Sequence, residues 1–496
     1  MFSHIEAKRL LSTWLLRSAV IIAFAIGLTV SSGAFGTDAD LADGRALWLA
    51  AGLFCAGLVY VCDLRPAINH ASAYASALQI LLAMIAVSGL AARVIVLAST
   101  PILEDDFQRY LWDGAVTANG FNPYAQSPAE AQALAENIGG GENGLGGLAR
   151  NGASVLASVN HPDLKTIYPP VAQGAFALAH TIAPWTLTGW RLVCLAGELA
   201  TFALLLMLLQ SVGRSPLWVA LYWWNPLVIK ELMNSAHMEA VLIPFVLSAV
   251  LLALRQRFVP ATVALGLAVG VKVWPLLLAP LLLRPLIDAP RQLFVCCGVL
   301  AAMCVAFALP VYIGGLDDTS GFVAYVSVWQ TNSAFFPAVS GVIERLFDLV
   351  GIDNSKAGSF LRLVIALALA AISIFLAWRP WNDTRDLLTR CVLVCAALVL
   401  LSPAQFPWYM TWVLPLVVFY PSFGLLAMTA FVPLYYAAFH FHALGIPSLI
   451  SAYLVWIIWI PIWTLILREA FRASRKWRNR DEALATPSIN VQSSSS

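Results

Sequence analysis

The chain has 496 residues, of which 60% are hydrophobic and only 11% charged, with a mean hydropathy of +0.79. A soluble domain is typically about 45–50% apolar and about 25% charged, so a soluble globular fold is excluded and an all-α polytopic membrane protein is expected. The formal net charge of +2 carries no signal for a nucleic-acid partner, and charge placement must be read instead.

Lys8, Arg9 and Arg17 precede or open the first apolar run, about Trp14 to Gly36. That run is longer than the roughly 7–15 apolar residues of a signal peptide, so a retained anchor with a cytoplasmic N-terminus is expected. Further spans are expected at about 47–62 and 77–99. The third span exits on the far side and delivers Glu104-Asp105-Asp106-Phe107-Gln108-Arg109-Tyr110-Leu111-Trp112-Asp113-Gly114 there. In a helix, Asp106, Arg109, Tyr110 and Asp113 fall on one face. A carboxylate at a membrane surface can deprotonate a hydroxyl, and an arginine can steady a phosphate. From spacing alone a solvated, capped helix start fits equally well.

A long polar loop follows, about 100–167, with a glycine-rich middle from Asn137 to Gly152. It lacks the GK[ST] ending of a phosphate-binding P-loop and reads as a lid or linker. Val171 to Pro184 is too short to span and reads as an interfacial helix. Treating it as a crossing would put Arg214, Arg255 and Arg257 outside, against the positive-inside rule.

Spans at about 189–209, 292–313, 358–378, 423–439 and 447–467 are interleaved with broken hairpins at 216–254, 260–284 and 388–420, and with an amphipathic segment at 335–350. The sum is about 14 membrane segments with both termini cytoplasmic. The expected units are N-terminal helices (1–99), a first large outer loop (100–188), a core with a second outer loop at 314–357 (189–467), and a basic, disordered tail (468–496).

Cys55, Cys62, Cys194, Cys296, Cys297, Cys304, Cys391 and Cys395 all lie in or at the ends of apolar runs, with no ligand-like His spacing, and read as small core residues. Ionisable groups at membrane depth point to function by default. They form the Lys230–Glu239 knot and the isolated Lys272. Interhelix pairs, Lys230 with Glu231 and His237 with Glu239, are the plainer alternative for the knot. For Lys272, which has no charged neighbour in sequence, a distant anionic partner or ligand is expected. Trp408 and Tyr409, after Ser402-Pro403-Ala404-Gln405, read as interfacial anchors or as site residues.

These residues form a pattern. D-x-x-R-Y-x-W-D-G (Asp106 to Gly114) and N-P-Y (Asn122, Pro123, Tyr124) resemble the first outer loop of GT-C superfamily glycosyltransferases. The nearest group is glycosyltransferase family 87 and the polyprenol-phosphate-mannose-dependent mannosyltransferases. The similarity continues through Asn160-His161-Pro162, Tyr168-Pro169-Pro170, Trp224-Asn225-Pro226, Lys272 with Pro275, and Pro407-Trp408-Tyr409. Two departures are visible: Glu239 stands where relatives often carry the aspartate of H-N-D, and two spans precede the motif where many relatives have one.

The resemblance implies a GT-C-like bundle in the bacterial inner membrane with its active site facing the periplasm. It implies transfer of a sugar, mannose first, from a polyprenyl-phosphate donor to a lipid, glycan or glycolipid hydroxyl, with inversion. The motif selects Asp106 as base, with Asp105 in reserve. Lys272, Arg109 and His237 are expected at the donor phosphate. Tyr110, Asp113, Tyr168, Glu231, Asn234, Glu239, Gln405, Trp408 and Tyr409 are the expected substrate contacts. An aspartate near its ordinary pKa of about 4 is a weak base, and partial desolvation would strengthen it. Cationic side chains can hold a single phosphate, so no metal or other cofactor is required, a divalent cation being optional. A lipid-linked-sugar transporter or flippase without chemistry, or a membrane scaffold, would also account for intramembrane charge, though neither needs the Asp106 constellation.

Overall fold

The computed structural model describes residues 4–36, 39–136 and 144–485. Residues 137–143 of the glycine-rich segment, and the tail from 486, lie outside them. Among the described residues the chain is helical without strands, with one isolated bridge between Thr331 and Ala404. Eight helices are long and apolar enough to cross a membrane: Lys8–Phe35, Arg45–Ala71, Ala75–Val96, Leu187–Ser211, Pro290–Gly314, Asn354–Ala377, Phe423–Ala443 and Ile450–Arg475. Each matches an expected span, and the second is longer than its hydropathy suggested because it continues through Asp63, which Arg17 neutralises at 2.6 Å.

The bent pair Pro226–Asn234 and Glu239–Leu254 adds at most a ninth crossing, so the count of about 14 segments is not confirmed. The physical reason is visible in the remaining segments. Phe258–Val271 has only 14 residues, and 274–288 is cut into single turns by Pro275, Pro280 and Pro285. Thr384–Leu401 carries Arg385, Asp386 and Arg390, while Pro407 and Pro415 break the chain that follows. Proline removes a helical donor and clashes with the preceding turn. Irregular backbone of this kind survives at depth only inside protein, and every residue from 407 to 418 is buried.

One end of the bundle is tied by arginines. Arg214 donates to the Phe419 carbonyl at 2.7 Å, Arg385 to Val212 at 3.1 Å, and Arg284 to Trp378 at 3.2 Å. Deeper in, Arg93 and Glu198 are both fully buried and paired at 2.6 Å. Arg93 also donates to the Gly89 and Trp223 carbonyls and lies 3.5 Å from the Trp223 ring centroid, and the Tyr222 hydroxyl donates to Glu198. Hydropathy reading had passed over both charges. The eight cysteines are free; Cys194, Cys296, Cys391 and Cys395 are buried, whereas Cys55, Cys62 and Cys297 lie on the outside of the bundle and are not core.

The acidic helix Asp106–Ala118 packs against Pro170–Ile182, the short helix expected at the interface. Tyr110 stacks on Phe176 (4.6 Å, 10°) and meets Tyr168 and Trp190 edge-on. The helices approach so closely at Gly114 that a Cβ there would run into the Phe176 carbonyl. Gly114→Val is therefore expected to destabilise the fold by about 1–3 kcal/mol through overpacking. A melting temperature in detergent equal to that of the unaltered protein would contradict this packing.

Candidate active site

Three strained or irregular turns bring the polar residues together. Leu103, just before Glu104, has φ of 56°, and Ala236, just before His237, has φ of 57°. Left-handed backbone at a residue with a side chain costs on the order of 1–3 kcal/mol and tends to mark functional sites. Ile229–Asn234 is a π-helical turn, and the chain bends by 118° before Glu239–Leu254 begins. The extra residue of a π-turn re-aims side chains, here turning Lys230, Glu231 and Asn234 inward, all fully buried. Asn234 donates to Ser99 and the Thr100 carbonyl and accepts from the Ile102 amide, so it holds the segment that leads to Glu104.

Asp106 opens its helix with a quarter of its side chain exposed. The Asn160 amide donates to it at 3.1 Å and to the exposed Asp105 at 2.8 Å. Burial pushes the Asp106 carboxyl up to about 6, while the Asn160 hydrogen bond and the charge of Lys272 pull it down. Its other oxygen lies 3.8 Å from His237 Nδ1. The far edge of that ring faces two carboxylates, with Nε2 3.8 Å from Glu104 Oε2 and 3.6 Å from Glu231 Oε2. The imidazole stacks on Trp408 at 3.9 Å and 18°. Beneath it, the Tyr436 hydroxyl lies within hydrogen-bond distance of Glu104 at 2.9 Å and Glu231 at 2.8 Å, and Lys230 donates to Ser235 at 2.9 Å and to the Tyr436 hydroxyl.

A second cation stands beside this group. Lys272 caps the helix Phe258–Val271 in extended backbone and donates to Glu239 at 2.5 Å. The Trp412 indole donates to the same Glu239 oxygen at 3.2 Å. The ammonium lies 4.4 Å from the Tyr409 ring and 4.9 Å from the Trp412 ring. Tyr409 shares a 2.6 Å hydrogen bond with Tyr325. Lys272 thus has the distant anion that its isolation called for, and Glu239 pairs with Lys272 and not with His237.

The expected site residues therefore divide. Asp106, Asp105, His237, Glu231, Glu239, Lys272, Trp408 and Tyr409 converge; Trp408 and Tyr409 are buried and are not interfacial anchors. Arg109 does not face this group. Its guanidinium donates to the carbonyls of Leu164, Asn160 and His161, so it clamps the loop whose Asn160 orients Asp106. Tyr110 and Tyr168 lie in the aromatic packing behind the helix. Asp113 accepts from Gln173 at 3.0 Å, and its carboxyl is raised by burial. Gln405 donates to the Val399 and Leu400 carbonyls and closes the hairpin tip. Glu104, Asn160, Tyr325, Trp412 and Tyr436 complete the cluster and were not selected from sequence; Tyr436, 332 positions from Glu104, had no local signal.

Comparison with known proteins follows this geometry. Residues 93–287 match the family model described as alpha-(1->6)-mannopyranosyltransferase, N-terminal domain, and residues 337–460 match the MptB C-terminal domain. Between them these stretches hold the whole cluster except Tyr325. Alpha-(1->6)-mannopyranosyltransferase A of Mycobacterium tuberculosis is 25% identical over 336 residues, covering 64% of this chain and 61% of that protein. Its namesake from Corynebacterium glutamicum is 24% identical over 183 residues, covering 35% of this chain and 33% of that protein. The chain spans less than two thirds of the length of either relative. No solved structure matches it. The motif resemblance and the paired family matches agree, and the chain is a GT-C-type relative of the alpha-(1->6)-mannopyranosyltransferases.

Proposed function

We propose that this protein is a membrane mannosyltransferase that moves mannose from a polyprenyl-phosphate donor to a hydroxyl acceptor at the outer face of the bacterial inner membrane. The observation that carries the reading is a partly exposed aspartate beside a buried cluster of ionisable and aromatic side chains. Asp106 has one oxygen held by Asn160 and the other turned toward His237, and Lys272 lies near enough to act on its charge.

The chemistry follows from those groups. The acceptor oxygen attacks the anomeric carbon from the face opposite the phosphate, so configuration inverts. The C–O bond to phosphate breaks, and the phosphate leaves on its lipid with the bonding pair. Asp106 takes the hydroxyl proton as the new bond forms. Lys272, braced by Glu239, Tyr409 and Trp412, stabilises charge growing on the departing phosphate. Trp408, stacked between His237 and Phe406, and Tyr409, stacked on Trp412 beneath Lys272, hold these groups in place. Asp105 shares Asn160 with Asp106 but is exposed, and it tunes the base instead of replacing it.

The reading is tested with the full chain in nanodiscs, given a panel of polyprenyl-phosphate sugars and, separately, nucleotide sugars. Transfer from polyprenyl-phosphate mannose to a glycan or glycolipid hydroxyl, with an inverted anomeric signal in the product, is expected. Absence of transfer across the panel, with movement of intact donor between leaflets, would instead establish a transporter. Lys272→Met is expected to raise the donor KM by about 10–100-fold, the loss of one charge-assisted contact, with a smaller effect on the acceptor KM. Equal effects on both substrates would remove Lys272 from the phosphate.

A further inference from the structure

Lys230 and Tyr436 use only one side of the two buried glutamates. The Tyr436 hydroxyl, with one proton to give, is within hydrogen-bond distance of Oε1 of both Glu104 and Glu231, and the Lys230 ammonium lies 3.9 and 3.5 Å from those same oxygens. The Oε2 atoms point the other way, toward His237 Nε2 at 3.8 and 3.6 Å. Glu231 Oε2 and both ring nitrogens of His237 are buried without a hydrogen-bond partner among the described residues. Separations of 3.6–3.8 Å are too long for a hydrogen bond. An unpaired buried polar atom is costly, and Glu104 Oε2, Glu231 Oε2 and His237 Nε2 converge in a way suited to a cation.

The spacing fits one ion. With metal–ligand distances of about 2.0–2.2 Å, two ligands of a tetrahedral ion stand about 3.3–3.6 Å apart. One ligand atom from each of Glu104, Glu231 and His237 lies within 4.8 Å of the other two, so small side-chain shifts close the set. The ring is already aimed, stacked on Trp408 after the left-handed Ala236. Its Nδ1 edge faces Asp106 at 3.8 Å, the carboxylate–imidazole–metal order that orients metal-binding histidines. Among the described residues Lys230 is one cation placed against two carboxyl groups.

We propose that Glu104, Glu231 and His237 bind one divalent transition-metal ion, for which an imidazole with two carboxylates favours Zn²⁺ or Mn²⁺ over Mg²⁺ and Ca²⁺. The site lies on the Nε2 side of the His237 ring, across the imidazole from Asp106, so it stands beside the transfer reading above without being part of its proton step. Metal binding itself does not depend on that reading.

The experiment is calorimetric titration of the chelator-treated full chain in detergent with Zn²⁺ and with Mn²⁺. One ion per chain is expected. Glu231→Gln and His237→Gln are each expected to bind at least about 100-fold more weakly, beyond the 10–100-fold range of lost supporting residues. Glu104→Gln provides a third variant should the other two fail to fold, with melting curves as the check. Asp106→Asn should weaken binding by no more than about 10–100-fold, since it supports the ring without ligating. Absence of stoichiometric binding overturns the proposal. So does binding that survives all ligand variants, which marks an adventitious surface ion only. A chain that binds the ion yet transfers no sugar keeps this inference and removes the functional one.

Discussion

Replacing Asp106 with Asn is expected to lower sugar transfer by about 10²–10⁴-fold, the range a positioned general base contributes, while leaving the protein folded. Asparagine keeps the shape and still offers an oxygen to the Asn160 amide, so the loop contact at 3.1 Å survives. What disappears is the ability to take a proton. Asp105→Asn separates this from a bulk electrostatic effect. It removes a neighbouring negative charge that shares the same Asn160 donor but sits exposed to solvent, and a change of less than about tenfold is expected from a surface charge. Transfer rates in nanodiscs, read beside melting temperatures, decide the matter. Full activity in Asp106→Asn, or equal losses in both variants, would remove Asp106 as the base.

Glu198→Ala is expected to destabilise the protein by about 3–5 kcal/mol, because it strands a buried guanidinium. Arg93 and Glu198 are both fully buried and paired at 2.6 Å. The remaining Arg93 contacts, to the Gly89 and Trp223 carbonyls and to the Trp223 ring, solvate its charge only in part. The double replacement Arg93→Leu with Glu198→Leu is expected to recover most of the loss, since a well-packed apolar pair often equals or exceeds a buried ion pair. Thermal unfolding in detergent measures both. A single variant as stable as the unaltered protein, or a double variant no better than the single, would contradict the account. Neither residue touches the active-site cluster, so the folded fraction should retain its turnover.

How far the sequence reached is best seen in particular residues. Composition and long apolar runs located the eight strong helices because a continuous span leaves a local record. The broken segments were legible as interrupted hairpins but not as fewer crossings: Pro275, Pro280 and Pro285 cut the chain below spanning length. The acidic helix was legible, but its shared face was not a shared role. Asp106 turns to His237, Arg109 to the loop carbonyls, Tyr110 to Phe176 and Asp113 to Gln173. Helical periodicity fixes direction within about a quarter turn, and the neighbours that assign each side chain its partner come from elsewhere in the chain. Lys272 shows the converse. Its isolation in sequence rightly implied a distant anion, but Glu239 emerged only once the π-turn and bend were in place.

The Arg93 pair also constrains how the chain is made. Synthesis runs from the N-terminus, so the segment bearing Arg93 leaves the ribosome 105 residues before its counterion exists. Arg93 sits in the last turn of its helix, where an arginine on a lone span snorkels to the interface at modest cost. The 75–96 segment can therefore enter lipid alone, with its guanidinium at the headgroups, and give that charge to the interior only once 187–211 emerges. Truncation just before Glu198 would leave the Arg93 side chain at the membrane surface.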